Sequence, residues 1–316
     1  MKAPGAAAIA AARARLDGFA IRTPLIRWQE GSGEIWLKLE TLQPIGSFKI
    51  RGARNAIAEA PEGALRHGVV TASAGNMAQG VAWCAREVGV ACAVVVPDHA
   101  PRTKLDAIER LGARVVAVPF ERWWRVLQER CYEGLSGYFV HPVSDPAVIA
   151  GNATIGFELV EDLPAVEEIY VPYGGGGLAC GIAAGLRAAG SAARVIAVEP
   201  ETAAPLAASL AAGVPVTIDY RASFVDGAGG RSVLAEMWSL AQELVAEART
   251  VSLGETAEAV RLLAERARVV AEGAGGLALA AARAAAGRGR RAVAIVSGGN
   301  IDAARLGSIL RGEGPA

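Results

Sequence analysis

At 316 residues the chain is long enough for two lobes with a substantial core, or for one large α/β domain. Its 32 basic and 32 acidic side chains cancel, which removes the electrostatic case for nucleic acid or an anionic membrane surface and leaves a small molecule as the expected partner. Aromatic residues are only 5% against 52% apolar residues and 38 glycines, the balance of a fully covered parallel sheet with closely packed helices.

Met1 to Arg15 is alanine-rich, carries Arg13 and Arg15, and reads as an amphipathic first helix. It contains no secretory hydrophobic core, and no membrane span follows, so a cytoplasmic location is expected. Arg22-Thr23-Pro24-Leu25 is an extended lead-in, and Glu34 to Leu39 reads as a short strand. Behind the loop Gln43-Pro44-Ile45 comes Gly46-Ser47-Phe48-Lys49-Ile50-Arg51-Gly52. Ser47 reads as the N-cap of a helix running to about Ala60, which sets Lys49 in the first turn, where the macrodipole disfavours a cation and lowers an amine pKa. Only Lys2, Lys38 and Lys104 accompany it as lysines. An amine so placed suits nucleophilic chemistry; a surface lysine opening an ordinary helix is the plainer reading.

From Gly68 short apolar runs alternate with helical periods: strand Gly68–Thr71, helix Asn76–Val88, strand Ala91–Val96, helix Arg102–Leu111, strand Arg114–Val118, helix Glu121–Tyr132. Such alternation means βαβ units and a parallel sheet. A second series follows Asp145: a long helix to about Glu161, strand Ile169–Pro172, helix Gly177–Ala189, strand Arg194–Glu199, and a helix after Pro200. Val251, helices from Glu255 and Gly275, the strand Ala292–Val296 and a closing helix to about Leu310 complete it. Two α/β lobes are expected, with ligands at the C-terminal ends of parallel strands in the cleft between them. The large lobe is expected to comprise residues 1–55 and 142–316, and the small lobe 56–141.

Three loops point into that cleft. Thr71 to Gly80 follows a strand and opens a helix with hydroxyl, amide and backbone donors, although an ordinary capped turn would look the same. Gly174-Gly175-Gly176-Gly177-Leu178 also links a strand to a helix, and its bare backbone N–H groups, backed by the helix dipole, suit a phosphate. It is not a Walker loop, since no Gly-Lys-Ser/Thr follows, nor the dinucleotide fingerprint in its usual setting. Ser297-Gly298-Gly299-Asn300 places a hydroxyl at a strand end. A phosphate cradle, a helix-start lysine and such a hydroxyl together suggest pyridoxal phosphate (PLP). Cys84, Cys92, Cys131 and Cys180 read as reduced core residues, and His67, His99 and His141 as structural or surface residues.

With these loops in view the chain resembles the fold type II PLP enzymes, a two-lobed α/β class like the tryptophan synthase β subunit, and within them the threonine/serine dehydratase and serine racemase family. The resemblance runs in order through Lys38-Leu39-Glu40, Gly46 to Ala53, Ser73-Ala74-Gly75-Asn76, Gly174 to Leu178, Val198-Glu199-Pro200, Asp226-Gly227, Glu272-Gly273-Ala274-Gly275 and Ser297 to Asn300. It implies that Lys49 holds PLP covalently with Phe48 beside the ring, and that Asn76 meets the phenolic oxygen. By the same resemblance Gly174, Gly175, Gly176, Gly177 and Leu178 bind the phosphate, Ser297 faces the ring nitrogen and Glu272 lines the opposite edge. Ser73, Ala74, Gly75, Asn76 and Gln79 would receive the substrate carboxylate. The implied reaction is β-elimination: L-threonine or L-serine dehydrated and deaminated to a 2-oxo acid and ammonia.

Departures from the family pattern refine this expectation. Racemases carry a proton-bearing serine where this chain has Ala74, which ranks dehydration above racemisation. Met77 replaces a common histidine and is expected to make the pocket more apolar. Many members bind a divalent cation through the glutamate of Glu-Pro, a carbonyl four residues on and an acid six residues on. Those positions are Glu199, Ala203 and Pro205 here, so the acid is missing and no metal site is assigned; a divalent or monovalent cation is left open at Glu199 and Ala203. No regulatory domain is expected after the catalytic one, and relatives suggest a homodimer or homotetramer. β-Replacement on the same fold, and a non-catalytic phosphate- or nucleotide-binding module, are the competing readings.

Overall fold

The computed structural model describes residues 1–29, 34–286 and 289–313; residues 30–33, 287–288 and 314–316 of the expected large lobe lie outside these. Helix α1 (Ala6–Leu16) precedes strands β1 (Leu25–Trp28) and β2 (Glu34–Leu39) and helix α2 (Lys49–Ala58). Next come β3 (Val69–Ala72), α3 (Asn76–Glu87), β4 (Cys92–Pro97), α4 (Arg102–Arg110), β5 (Arg114–Val118), α5 (Phe120–Glu129) and β6 (Tyr138–Phe139). The chain continues through α6 (Pro146–Asp162), β7 (Glu168–Pro172), α7 (Gly177–Ala188), β8 (Arg194–Pro200), α8 (Pro205–Ala212) and α9 (Ala235–Leu244). It closes with β9 (Glu247–Val251), α10 (Leu253–Leu262), α11 (Gly273–Ala285), β10 (Arg291–Val296) and α12 (Ala303–Leu310).

The strands form two sheets. One has the order β1-β2-β10-β7-β8-β9, parallel except for β1; the other, β5-β4-β3-β6, is parallel throughout. In the larger sheet alternate residues face opposite layers, as the pleat requires. Ala292, Ala294 and Val296 of β10 pack with α10 and α11, while Val293 and Ile295 join α6, α7 and α9. The smaller sheet is likewise sandwiched, between α2 and α3 on one face and α5 on the other. Burial on both faces is why β4 and β10 read as nearly unbroken apolar runs. The lead-in near Leu25 is a true antiparallel strand, and β6 and α9 are elements that local pattern did not signal. Cys131 is exposed, which corrects the expectation of a core position; the other three cysteines are buried.

Small residues let helices approach closely. A Cβ on Gly52 would lie 2.7 Å from the Val148 side chain, and one on Gly151 would lie 2.4 Å from the Arg51 carbonyl oxygen, so α2 and α6 meet almost backbone to backbone. This approach places Arg51 within a buried charge cluster. Its guanidinium donates to Glu40 at 2.8 and 2.9 Å and to Glu158 at 2.6 and 3.0 Å. Lys38 completes the cluster, 2.6 Å from Glu158 and donating to the Thr23 carbonyl at 2.7 Å. Burial alone would raise the Glu40 pKa, but the Arg51 charge and hydrogen bonds outweigh it and hold that carboxyl below its ordinary value. Two cations and two anions thus cancel inside the protein.

Removing one member leaves uncompensated buried charge. Arg51→Met is expected to destabilise the fold by about 3–5 kcal/mol, read as a lowered urea midpoint. Because the Glu40 pKa is depressed on folding, its contribution is present above the ordinary carboxylate range and is lost as pH falls through the folded value.

Candidate active site

The cleft is built where strand ends of both sheets meet. Antiparallel pairing of Ser47 with Gly298, Phe48 N–H donating to the Ser297 carbonyl at 3.0 Å, and Gly299 N–H donating to the Gly46 carbonyl at 2.9 Å pin the segment before α2 to the end of β10. Lys49 is therefore held beside Ser297 by backbone ladder contacts. Phe48, with helical backbone and no side-chain cap, precedes α2, so Ser47 is not the N-cap the sequence suggested; its hydroxyl is buried without a hydrogen-bond partner among the described residues.

Lys49 Nζ donates to the Pro142 carbonyl at 2.9 Å and lies 5.2 Å from the centre of the Phe48 ring. Desolvation lowers its pKa to about 8, while the Glu272 charge pulls in the opposite direction. Burial, rather than the helix dipole alone, is what weakens this base. Glu272 moves the other way: burial raises it to about 7, opposed by a hydrogen bond from Asn76 and by Lys104. Both groups are drawn toward their neutral forms.

The glycine loop follows β7 directly. Among the described residues, Gly174, Gly175 and Gly176 donate no N–H to another backbone carbonyl. Gly176 has φ +95°, and a Cβ there would lie 2.8 Å from the Tyr173 hydroxyl; a Cβ on Gly175 would lie 2.6 Å from both methyls of Val143. Only glycine fits, and the free N–H groups sit at the N-terminus of α7. Asn152 Nδ2 steadies the loop through the Gly177 carbonyl at 3.2 Å. Leu178 is buried in the first turn of the helix. This donor set suits a phosphate and, with Lys49 nearby, fits PLP.

On the other side of the cleft, Ser73, Ala74, Gly75, Asn76 and Gln79 are partly exposed, whereas Met77 is buried in the small-sheet core. Met77 is therefore a packing residue and does not line the pocket. Ser73 Oγ accepts from Gly75 N–H at 3.2 Å, shaping the loop. Asn76 Nδ2 donates to Glu272 at 2.8 and 3.1 Å, and its Oδ1 accepts from Asn300 at 2.8 Å. Glu272 in turn donates its backbone N–H to Gly298. An ion pair of Lys104 with Asp226 joins α4 to the loop before Gly227.

Glu199 stands apart from these groups. Its carboxylate accepts the N–H groups of Leu206 and Ala207 at 2.9 and 2.8 Å, so it serves the first turn of α8, and burial pushes its pKa up to about 7. The Ala203 carbonyl is packed against Gly229. Among the described residues no group of three or more His, Cys, Asp or Glu side chains is placed to hold a metal.

Two contributors escaped sequence reasoning. Pro142 acts through its carbonyl, which no residue type announces, and His141 beside it is buried next to the site. The only local hint was a His-Pro pair after an apolar strand.

The family described as "Pyridoxal-phosphate dependent enzyme" matches residues 16–298, from the end of α1 through Ser297 and Gly298 after β10. The chain belongs to that family. It is 40% identical over 281 residues to an L-threonine ammonia-lyase of Thermotoga maritima, covering 88% of this chain and 70% of that protein. To the catabolic L-threonine dehydratase TdcB of Escherichia coli (strain K12) it is 38% identical over 310 residues, covering 94% and 93%. The solved structure of maize serine racemase superposes with a TM-score of 0.89 at 30% identity, covering 98% of both chains. The fold type II architecture and the PLP cofactor follow from this membership. No described helix is long and apolar enough to cross a membrane.

For this PLP enzyme, competitive labelling of amines in the cofactor-free protein is expected to give a Lys49 midpoint near pH 8. Glu272→Gln should move that midpoint lower, because the carboxylate is what favours the ammonium form. Gly176→Ala places a side chain in the left-handed region against Tyr173, and is expected to weaken PLP binding by about tenfold, measured by titration of the apoprotein.

Proposed function

We infer that this protein is a PLP-dependent threonine/serine ammonia-lyase, converting L-threonine to 2-oxobutanoate and ammonia and L-serine to pyruvate and ammonia. The observation that carries the reading is a half-buried lysine, its amine of lowered basicity, beside a glycine cradle, in a chain 38% identical over 94% of its length to a threonine dehydratase.

In this reading Lys49 holds PLP through its amine, the N–H groups of Gly174 to Leu178 bind the phosphate, and Phe48, Asn76, Glu272 and Ser297 surround the ring. Bound there, PLP supplies an electron sink for the α-carbon of an attached amino acid. Ser73, Ala74, Gly75, Asn76 and Gln79 receive the substrate carboxylate at the N-terminus of α3, where backbone donors and the helix dipole favour an anion. Once the substrate amine has taken its place on the cofactor, the freed Lys49 amine, with its pKa near 8, would be substantially neutral in mildly alkaline solution and able to take the α-proton. The β-hydroxyl departs as water, and hydrolysis of the remaining carbon skeleton releases the 2-oxo acid and ammonia. Ser297 is a hydroxyl, not a carboxylate, so it does not impose a proton on the ring nitrogen. Ala74 carries no proton, which supports elimination over racemisation. A homodimeric or homotetrameric assembly and a cytoplasmic setting belong to the same reading.

A panel of hydroxy amino acids, followed by 2-oxo acid formation, tests this. L-Threonine and L-serine are expected to be turned over, and Lys49→Ala to lose activity. Undiminished activity in that variant would sink the mechanism. D-serine formation outpacing pyruvate would favour a racemase, and cysteine formation from a β-substituted serine with sulfide outpacing 2-oxo acid would favour β-replacement.

A further inference from the structure

The turn between β6 and α6 touches both halves of the cofactor site, yet it contains none of the residues that the sequence motifs assign to it. Pro142 presents its carbonyl to Lys49 Nζ at 2.9 Å. The next residue, Val143, lays its side chain over Gly175 and its carbonyl against Gly177, forming a wall of the glycine cradle. What holds the turn is an imidazole. His141, 2% exposed, accepts at Nδ1 the N–H groups of Val143 at 3.1 Å and Ser144 at 2.8 Å. Ser144 then ties the turn outward: its hydroxyl donates to Glu236 on α9 at 2.9 Å, and its carbonyl accepts from Arg130 beyond α5 at 2.7 Å.

We propose that His141 is a positioning residue: its unprotonated Nδ1 folds the turn that sets Pro142 against Lys49 and Val143 against the phosphate cradle. The proposal rests on the reading that Lys49 and the glycine loop hold PLP. Two backbone donors on one ring nitrogen require that nitrogen to be an acceptor, so the ring must be neutral with its proton on Nε2. An imidazolium would present a donor to both N–H groups and open the turn. The surroundings oppose that charge: burial pushes the His141 pKa down to about 4, Arg130 and Lys49 act in the same sense, and Glu236 only partly offsets them. The Phe139 ring packs on the remaining side, with centroids 6.4 Å apart. His141 does not touch the reacting atoms; it acts through Pro142 and Val143.

Two variants separate the acceptor from the bulk of the ring. His141→Phe keeps a buried aromatic but has no acceptor, whereas His141→Asn keeps a short side-chain acceptor able to receive a backbone N–H two or three residues on. Loss of two hydrogen bonds predicts that His141→Phe weakens PLP binding to the apoprotein by about tenfold or more. Its kcat should fall while KM for the amino acid changes by less than about threefold, because the carboxylate is received by a different loop. His141→Asn should recover most of both losses. PLP affinity unchanged in His141→Phe, or His141→Asn no better than His141→Phe, would overturn the proposal. PLP titration uses no amino acid, so wild-type protein that binds PLP but does not turn over threonine would count against the proposed function alone.

Discussion

The Arg51 guanidinium, clamped between Glu40 and Glu158, is the interaction on which the geometry of this protein depends. It lies two residues after Lys49, and two helical residues turn through about 200°, so the two side chains leave opposite faces of α2. One face is fixed into a charge-balanced interior; the other is thereby aimed at the cleft. A surface ion pair could not do this, since exposed pairs contribute little and hold no unique geometry. Buried, the cluster is costly to break, because any misplacement of α2 would strand a carboxylate away from water. Glycines at 52 and 151 make the arrangement reachable by letting α2 and α6 touch.

The chemistry of the cleft follows from desolvation applied to a few groups. Lys49 is made a weaker base and Glu272 a weaker acid by the same loss of water; the Glu272 charge partly restrains the shift of Lys49, while the Asn76 hydrogen bond and Lys104 restrain that of Glu272. Around them, backbone N–H groups of the glycine loop and the start of α7 form an uncharged donor set that suits an anion. Such a receptor binds phosphate without adding a cation that would depress the neighbouring amine further. Contacts crossing between the two sheets, Asn76 with Glu272 and Lys104 with Asp226, make the relative placement of the lobes part of the same electrostatic arrangement.

Where sequence reasoning met the structure, its successes and failures had different causes. The strands β4, β7, β8 and β10 were readable because doubly covered parallel strands are short apolar runs with little else to signal. The element β6, only two residues long, and α9, whose pattern is interrupted by polar residues, offered no comparable signal. Ser47 looked like a cap because serine before a helix usually is one. Its hydroxyl is buried by the pairing with Gly298, 251 residues later in the chain, a contact that outweighs local preference. Met77 looked like a pocket residue by its place in the loop, but the first turn of α3 rotates it into the small-sheet core.

By itself the sequence determined the chemical parts and their order: a lysine at a helix start, a run of four glycines after a strand, an asparagine loop, a hydroxyl at a strand end. These are contiguous motifs whose residue types have a local physical meaning, and together they specify a family and a cofactor. Only the tertiary structure decided the protonation tendencies of Lys49 and Glu272, the pairing of Lys49 with a proline carbonyl, and the placement of His141, Arg51 and Glu199. Those properties depend on which distant groups exclude water from a side chain or offer it a partner, and solvent exclusion is created by packing between segments far apart in the chain.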